Sequence, residues 1–255
     1  MSHFFLYILI RYSFRTHIHD FSNLNIKLPD YYNFLEEYPE CDFGIFIQEC
    51  GNCYAHSAVN MVSHRFCRII HQKLFLSPQY VVACDFFNAA CQGGNERIVL
   101  SDIERIGITN ISCHPWTNQT HYLSNFCQKC TTNETFKLYK LQKNSIQHYV
   151  GVDNIKKAIY TQGPVSSCLI SDHFFQNYKS GIFNSGLNNL NLQSEDYVNH
   201  SVELIGWGKE ADTEYWILYN QFGQEWGENG KMKIKMYSNE GLVEDYCYGA
   251  LPHIE

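Results

Sequence analysis

The sequence predicts an α+β protein whose two lobes meet at a cleft, helix-led in the first half and strand-led in the second. Three observations carry this. From Cys53 to Ile70 the apolar residues Ala55, Ala58, Val59, Val62, Phe66, Ile69 and Ile70 recur at helical spacing along one face. After Gly163-Pro164 the pattern turns strand-like, most clearly over 231–237, where Met232, Ile234 and Met236 alternate with lysines. The length of 255 residues suits one large domain or two lobes that share a cleft.

Taken in order, residues 1–27 read as a short leader or propeptide. The apolar run 4–10 is too short, and too poor in preceding charge, to make a complete signal peptide. Leu28-Pro29-Asp30 starts a folded body over 28–255, with a left lobe of about 28–140 and a right lobe of about 141–250. Gly51 permits a sharp turn into the long helix that Cys53 opens. Leu76-Ser77-Pro78 starts a second helix, with Ser77 as cap and Pro78 at the first helical position. Residues 109–135 carry three cysteines and little periodicity, and read as a stapled loop region. An amphipathic helix follows at 152–160, then strands at 165–170, 197–207, 214–220 and 231–237.

Composition narrows the class. Apolar residues make up 45% and aromatics 15%, enough for a sizeable core and against disorder. The formal net charge of -7 argues against an electrostatic grip on nucleic acid or anionic lipid. No apolar run approaches membrane-spanning length. Eleven cysteines point to an oxidising compartment, and the odd number leaves at least one thiol unpaired within the chain. Sequons at Asn110, Asn118 and Asn133 suit a glycosylated surface region.

The candidate chemistry centres on the run from Gln48 to Ser57. A cysteine at a helix start sits where exposed N–H groups and the helix dipole favour an anion, so Cys53 has the setting of an activated thiol. Two other readings share these residues. Cys50-Gly51-Asn52-Cys53 is also a redox-type C-x-x-C, and Cys127 with Cys130 forms a second such pair that could join a zinc site. The distal half discriminates between them. His200 lies in Asn199-His200-Ser201-Val202, ahead of Gly206-Trp207-Gly208, and Asn220 lies in the run from Tyr215 to Gly227. Cysteine, then a distant histidine, then asparagine is an order that serves nucleophilic catalysis: thiol, base, and a partner to orient the base.

On these residues, together with Cys91-Gln92-Gly93-Gly94-Asn95 and Gly163-Pro164, the chain resembles the papain family of cysteine peptidases. The separation of Cys53 and His200 falls within the roughly 130–150 residues typical there. The two-residue step from Gln48 to Cys50, with His56 after Tyr54-Ala55, is similar to the cathepsin Z (cathepsin X) branch. The resemblance implies a papain-like fold with a helical left lobe and a β-barrel-like right lobe. It implies catalytic Cys53, His200 and Asn220, with Gln48 in the oxyanion hole. It also implies substrate contacts at Gly93, Gly94, Phe222 and Trp226. No metal or organic cofactor is implied. The implied partners are peptide or protein substrates and cystatin-like inhibitors, the implied state a monomer, and the location lysosomal, vacuolar or secreted. The cathepsin Z likeness implies a carboxypeptidase. Ile45-Phe46-Ile47 and Glu49 depart from that branch's carboxylate grip, which keeps an endopeptidase open, and a non-catalytic homologue is a third reading. By the same resemblance the expected disulfides are Cys50–Cys91, Cys113–Cys127 and Cys168–Cys247. Cys84 matches a disulfide cysteine of the family, with Cys130 one candidate partner, and Cys41 has no clear match there, a leader bond or Cys130 staying open. Cys67, on the long helix, is expected to be a buried free thiol.

Overall fold

The structure is a computed structural model that describes residues 18–85, 87–117, 126–187 and 195–254. A two-residue strand β1 (Tyr32–Asn33) runs into helix α1 (Phe34–Glu37), which Asn33 caps by accepting from the Leu35 N–H. Helix α2 spans Cys53–Ile70, the range that the apolar spacing predicts, and stops at the left-handed His71. Helix α3 (Pro78–Cys84) starts as its signals predict, with the Ser77 hydroxyl accepting from Tyr80 N–H at 3.0 Å. Helix α4 (Glu96–Arg105), capped by Asn95, has no counterpart in the sequence reading. Its buried stripe of Val99, Leu100 and Ile103 is too short to stand out. Helix α5 (Val152–Gln162) extends the predicted 152–160 segment by two residues.

The second half builds one sheet. Its members are β1, β2 (Gln147–Tyr149), β3 (Val165–Leu169), β4 (Ile182–Phe183), β5 (His200–Glu210), β6 (Thr213–Tyr219), β7 (Lys231–Lys235) and β8 (Cys247–Gly249). The order is β2-β8-β3-β5-β6-β7-β4, with β1 added on β5. Every pairing is antiparallel except β4 with β7. The strands of the expected right lobe form this one sheet, and β2 and β4 at its two ends do not pair among the described residues. The strand predicted at 197–207 starts at His200, since 195–197 form a 3-10 turn. Gly206 is required where β5 shifts register after Leu204: a Cβ there would collide with the Tyr32 carbonyl of β1.

Two apolar cores result. One joins α2, α3 and α4 through Val59, Met61, Leu76, Leu100 and Ile103. The other fills the space between the sheet, α5 and α1 with Phe34, Ile155, Leu204, Trp207 and Trp216. Helix α2 lies between them, and for that reason every residue from Tyr54 to Cys67 is buried rather than the single predicted face. Its polar side meets the sheet. His64 Nδ1 pairs with Glu203 Oε1 of β5 at 2.7 Å, and Ser57 Oγ bonds Ser166 Oγ of β3 at 2.6 Å. Arg65, fully buried, donates to the carbonyls of Pro164 (2.8 Å), Ala250 (3.1 Å) and Gly163 (3.3 Å).

The cysteine pairing corrects several expectations. Cys50–Cys91 forms as expected. Cys113 bonds Cys130 instead of Cys127, because Cys127 lies in a 3-10 turn against α3 and bonds Cys84 there. Cys67 is not free but bonds Cys41, which a second 3-10 turn (Pro39–Cys41) brings against α2. Cys168 and Cys247 are both free thiols. Strand register forbids their bond: Cys247 stands opposite Ser167, so Cys168, one residue on, points to the other face of the sheet.

Most of the leader, the apolar run at 4–10 and the Asn118 sequon lie outside the described residues. Of the other sequons, Asn133 is exposed, whereas Asn110 is half-buried and its side-chain oxygen accepts from Cys113 N–H. Residues 18–28 run along the sheet half. His19 N–H bonds the His148 carbonyl at 2.8 Å, and Phe21 stacks on Tyr149 with centroids 5.9 Å apart.

Two outcomes follow. Peptide mapping without reduction should recover Cys84–Cys127 and Cys113–Cys130, with Cys168 and Cys247 alkylated only after unfolding; a 168–247 cross-link would refute the register. His64→Ala leaves the Glu203 carboxylate buried and unpaired, and should lower stability to urea by about 3 kcal/mol, more than Glu203→Gln does.

Candidate active site

Cys53 is the first residue of α2, so its side chain lies beside N–H groups that no helical carbonyl can satisfy. Burial pushes its thiol pKa up; the backbone N–H and the hydroxyl of Ser201, and the N–H of Tyr54, act the other way by stabilising the thiolate. Ser201 follows His200 on β5. Cys53 and Ser201, far apart in the sequence, therefore come together because α2 packs against β5.

His200 is 6% exposed, and its Nε2 lies 2.9 Å from Asn220 Oδ1. Asn220 directly follows β6, and the β5–β6 register, Glu203 opposite Tyr219, sets it beside the histidine. The same Oδ1 accepts from Gln221 N–H at 2.9 Å, which fixes the amide. With Oδ1 accepting, Nε2 carries the hydrogen and Nδ1 is left as the basic nitrogen. Burial lowers the His200 pKa to about 4, opposed only by the Asn220 bond. Each charge on its own is thus disfavoured at Cys53 and at His200. A thiolate and an imidazolium together would offset the penalty by mutual attraction.

Aromatic rings cover the His200–Asn220 bond. Phe222 stacks on the imidazole at 4.8 Å and 25°. Trp226 packs edge-on to Phe222 at 5.6 Å, and its Nε1–H donates to the Gln176 carbonyl at 3.0 Å. Phe175, in the short helix α6 (His173–Gln176), completes the cover at 5.7 Å from His200. Sequence reasoning missed Phe175, which lies in no motif and reaches the site only through packing.

Gln48 is brought to the same place. Its N–H bonds the Gln221 carbonyl at 2.9 Å, and Ile47 bridges to Phe222. The Gln48 Nε2 donates to the Cys50 carbonyl at 3.2 Å, which leaves one further N–H on that nitrogen. The Cys50–Cys91 bond and the Gly51 N–H to Cys91 carbonyl contact, at 3.0 Å, tie this corner to Gly93 and Gly94. Gly93 has φ +110, and nothing lies within 4 Å of where its Cβ would be, so bare backbone faces open space. Cys50 is committed to Cys91 rather than to Cys53, and Cys127 and Cys130 are each committed elsewhere, so neither C-x-x-C stands as a dithiol.

A second polar cluster lies around Ser201. Glu96, buried at the start of α4, accepts from the Cys168 thiol and from Ser201 Oγ, the latter at 3.3 Å. Ser201 sits inside the His200 run, but nothing in the sequence pointed to Glu96.

The site thus combines a buried imidazole held by an amide with a cysteine at a helix start. Residues 46–250 match the papain family cysteine protease pattern, and the chain belongs to that family. It is 31% identical to cathepsin B-like CP3 of Giardia intestinalis, over 88% of this chain and 74% of that one. It is 27% identical to cathepsin B of Dictyostelium discoideum, over 92% and 78%. The fold is similar to that of procathepsin B S9 from Trypanosoma congolense, with a TM-score of 0.78 at 23% identity, covering 94% and 82% of the two chains. These relatives are cathepsin B-like, and they do not support the narrower likeness to cathepsin Z drawn from the Gln48–Cys50 step. No helix among the described residues is long and apolar enough to cross a membrane.

Asn220→Ala should reduce kcat/KM by about 100-fold, by freeing the imidazole to rotate. The loss should fall on kcat, and a preserved kcat in steady-state assays would remove Asn220 from the set.

Proposed function

We propose that this chain is a cysteine peptidase that cleaves peptide bonds through Cys53, His200 and Asn220. The observation that carries the reading is the 2.9 Å His200–Asn220 bond on the strand whose next residue, Ser201, faces the Cys53 thiol. The Cys53 thiolate attacks the scissile carbonyl carbon. The oxyanion that forms is met by the Cys53 N–H and by the free N–H of the Gln48 side chain. His200 gives its proton to the leaving amine, and the thioester remains. A water then loses a proton to His200 and releases the acid. Asn220 keeps the ring in register throughout, and Phe222 and Trp226 keep water off that bond. Gly93 and Gly94 offer backbone to the substrate chain. Four disulfides support an oxidising location, lysosomal or secreted.

The surface beside Gln48 favours cleavage within chains over removal of C-terminal residues. Ile47 is 59% exposed, and the next side chain, Glu49, is an acid that accepts from Trp116 Nε1–H at 3.3 Å. Segment 45–49 contains no cation to hold a terminal carboxylate.

Cys53→Ala should reduce hydrolysis of peptide substrates to background, and covalent labelling by an epoxide thiol reagent should disappear with it; retained turnover would sink the assignment. Peptides with amidated and free C-termini should be cut at similar internal bonds, whereas strict dependence on the free carboxylate would restore the carboxypeptidase reading. The sign of the His200 shift is also testable. With the thiolate removed in Cys53→Ala, His200 should titrate at about 4 by NMR. In the intact enzyme the neighbouring negative charge should move that titration upward.

A further inference from the structure

We infer that a groove at the far end of α2 is a binding site for an amphipathic anion, an alkyl carboxylate, and that it serves no step of the reaction above. Cys53 opens α2 and Ile70 closes it. At about 1.5 Å per residue, the 18-residue helix puts about 25 Å between the nucleophile and this groove.

The groove forms where α2 stops. His71 takes the left-handed conformation that ends the helix, and the chain turns so that Leu74 lies beside Phe66 and Ile70. The facing wall is an extended segment. Tyr139 is bridged to Ile108 by N–H to carbonyl bonds of 2.8 and 2.9 Å, and its ring meets that of Phe66 edge-on at 5.9 Å. The His253 N–H bonds the Lys140 carbonyl at 2.9 Å, which lays residues 253–254 beside that wall. Together these segments enclose about 230 Å³. Burial separates the lining into two levels. Phe66 and Leu74 are buried, and Ile70, Leu138 and Tyr139 are half-buried, so the floor is apolar. Lys137, Lys140, His253 and Ile254 are exposed at the mouth.

Charge chooses among occupants. The lining holds two lysines and a histidine and no carboxylate. Lys137 Nζ lies 5.0 Å from the centre of the Tyr139 ring, and Lys140 Nζ donates to the Arg105 carbonyl at 3.4 Å. Neither lysine forms an ion pair among the described residues. The chain as a whole carries 26 acidic against 19 basic side chains, so this mouth is a local reversal of its charge. An alkyl carboxylate answers both levels. Its chain displaces water from Phe66, Ile70 and Leu74, and its two oxygens accept from the ammonium groups at the mouth. The volume falls just below the roughly 300–1,000 Å³ of sites that take drug-sized ligands, which suits one alkyl chain rather than a ring system.

The test is a titration of the full chain with octanoate below its micelle concentration, followed by calorimetry and by NMR of the leucine and isoleucine methyl groups. Saturable binding should shift the methyls of Ile70, Leu74, Leu138 and Ile254. From butanoate to octanoate the dissociation constant should fall by up to about fourfold for each added methylene. Octylamine, with the same chain and the opposite charge, should bind at least about fivefold more weakly than octanoate. Lys137→Met combined with Lys140→Met should weaken octanoate binding by about fivefold and narrow its margin over octylamine. Absence of saturation, equal binding of octanoate and octylamine, or an unchanged constant in the double variant would overturn the inference. Should that variant fold poorly, octanoate against octylamine on the wild type decides. Blocking Cys53 with an epoxide thiol reagent should leave octanoate binding unchanged; loss of binding on blocking would put the carboxylate in the catalytic cleft and overturn the inference.

Discussion

The structure depends on the polar seam between α2 and the sheet. A helix buried on all sides must satisfy or exclude every polar group it carries, and α2 carries Ser57, His64 and Arg65 on the side that meets β3 and β5. Each finds specific partners: Ser166 for Ser57, Glu203 for His64, and three backbone carbonyls for Arg65. Such bonds contribute only about 1 kcal/mol each in net stability, but leaving one partner buried and unmade costs several times more for a charge. The seam therefore acts mainly by penalising misalignment. Sliding α2 by one residue along β5 would strand a carboxylate and a guanidinium together. That constraint, set between four and twelve residues along α2 from Cys53, fixes where the helix begins and so where Cys53 lies against Ser201.

Burial sets the electrostatics of the site as firmly as its geometry. His200 and Cys53 are each pushed toward neutrality by loss of water, so neither is a strong base or nucleophile by itself. Charge separation becomes favourable only when both ionise together, and only while the ring keeps the orientation that Asn220 and Phe222 impose. The aromatic cover is thus electrostatic in effect: it denies water to a hydrogen bond whose value rises in a low-dielectric setting.

Features carried by local chemistry were legible in the sequence. The α2 limits follow from its apolar spacing, and the α3 start follows from Ser77-Pro78. Cys53, His200 and Asn220 were readable as candidates because each sits in a distinctive run, and the structure places His200 against Asn220 at 2.9 Å. What depends on the pairing of distant segments was not legible. Whether Cys168 can reach Cys247 is a question of strand register, and the sequence reading, blind to the three-residue strand β8, paired them wrongly. The choice of Cys84 over Cys113 as partner for Cys127 depends on how a short turn packs on α3. Glu96 lies in a helix whose apolar stripe is three residues long, and its carboxyl finds its partners only because β3 and β5 bring Cys168 and Ser201 to it.

The four disulfides all join residues among the first 130, and the sheet carrying His200 and Asn220 contains none. Its cohesion comes from ladder hydrogen bonds, packing and side-chain polar contacts such as Lys156–Glu214. Two of the bonds bracket α2, with Cys50 just ahead of it and Cys67 near its far end. Exposure to reductant would therefore act unevenly across the molecule. The half that presents the thiol and the bare Gly93 backbone would slacken first, while the half that holds the base kept its form. Redox conditions in the surroundings would then govern how long the two halves of the catalytic centre stay in register, quite apart from the oxidation state of Cys53 itself.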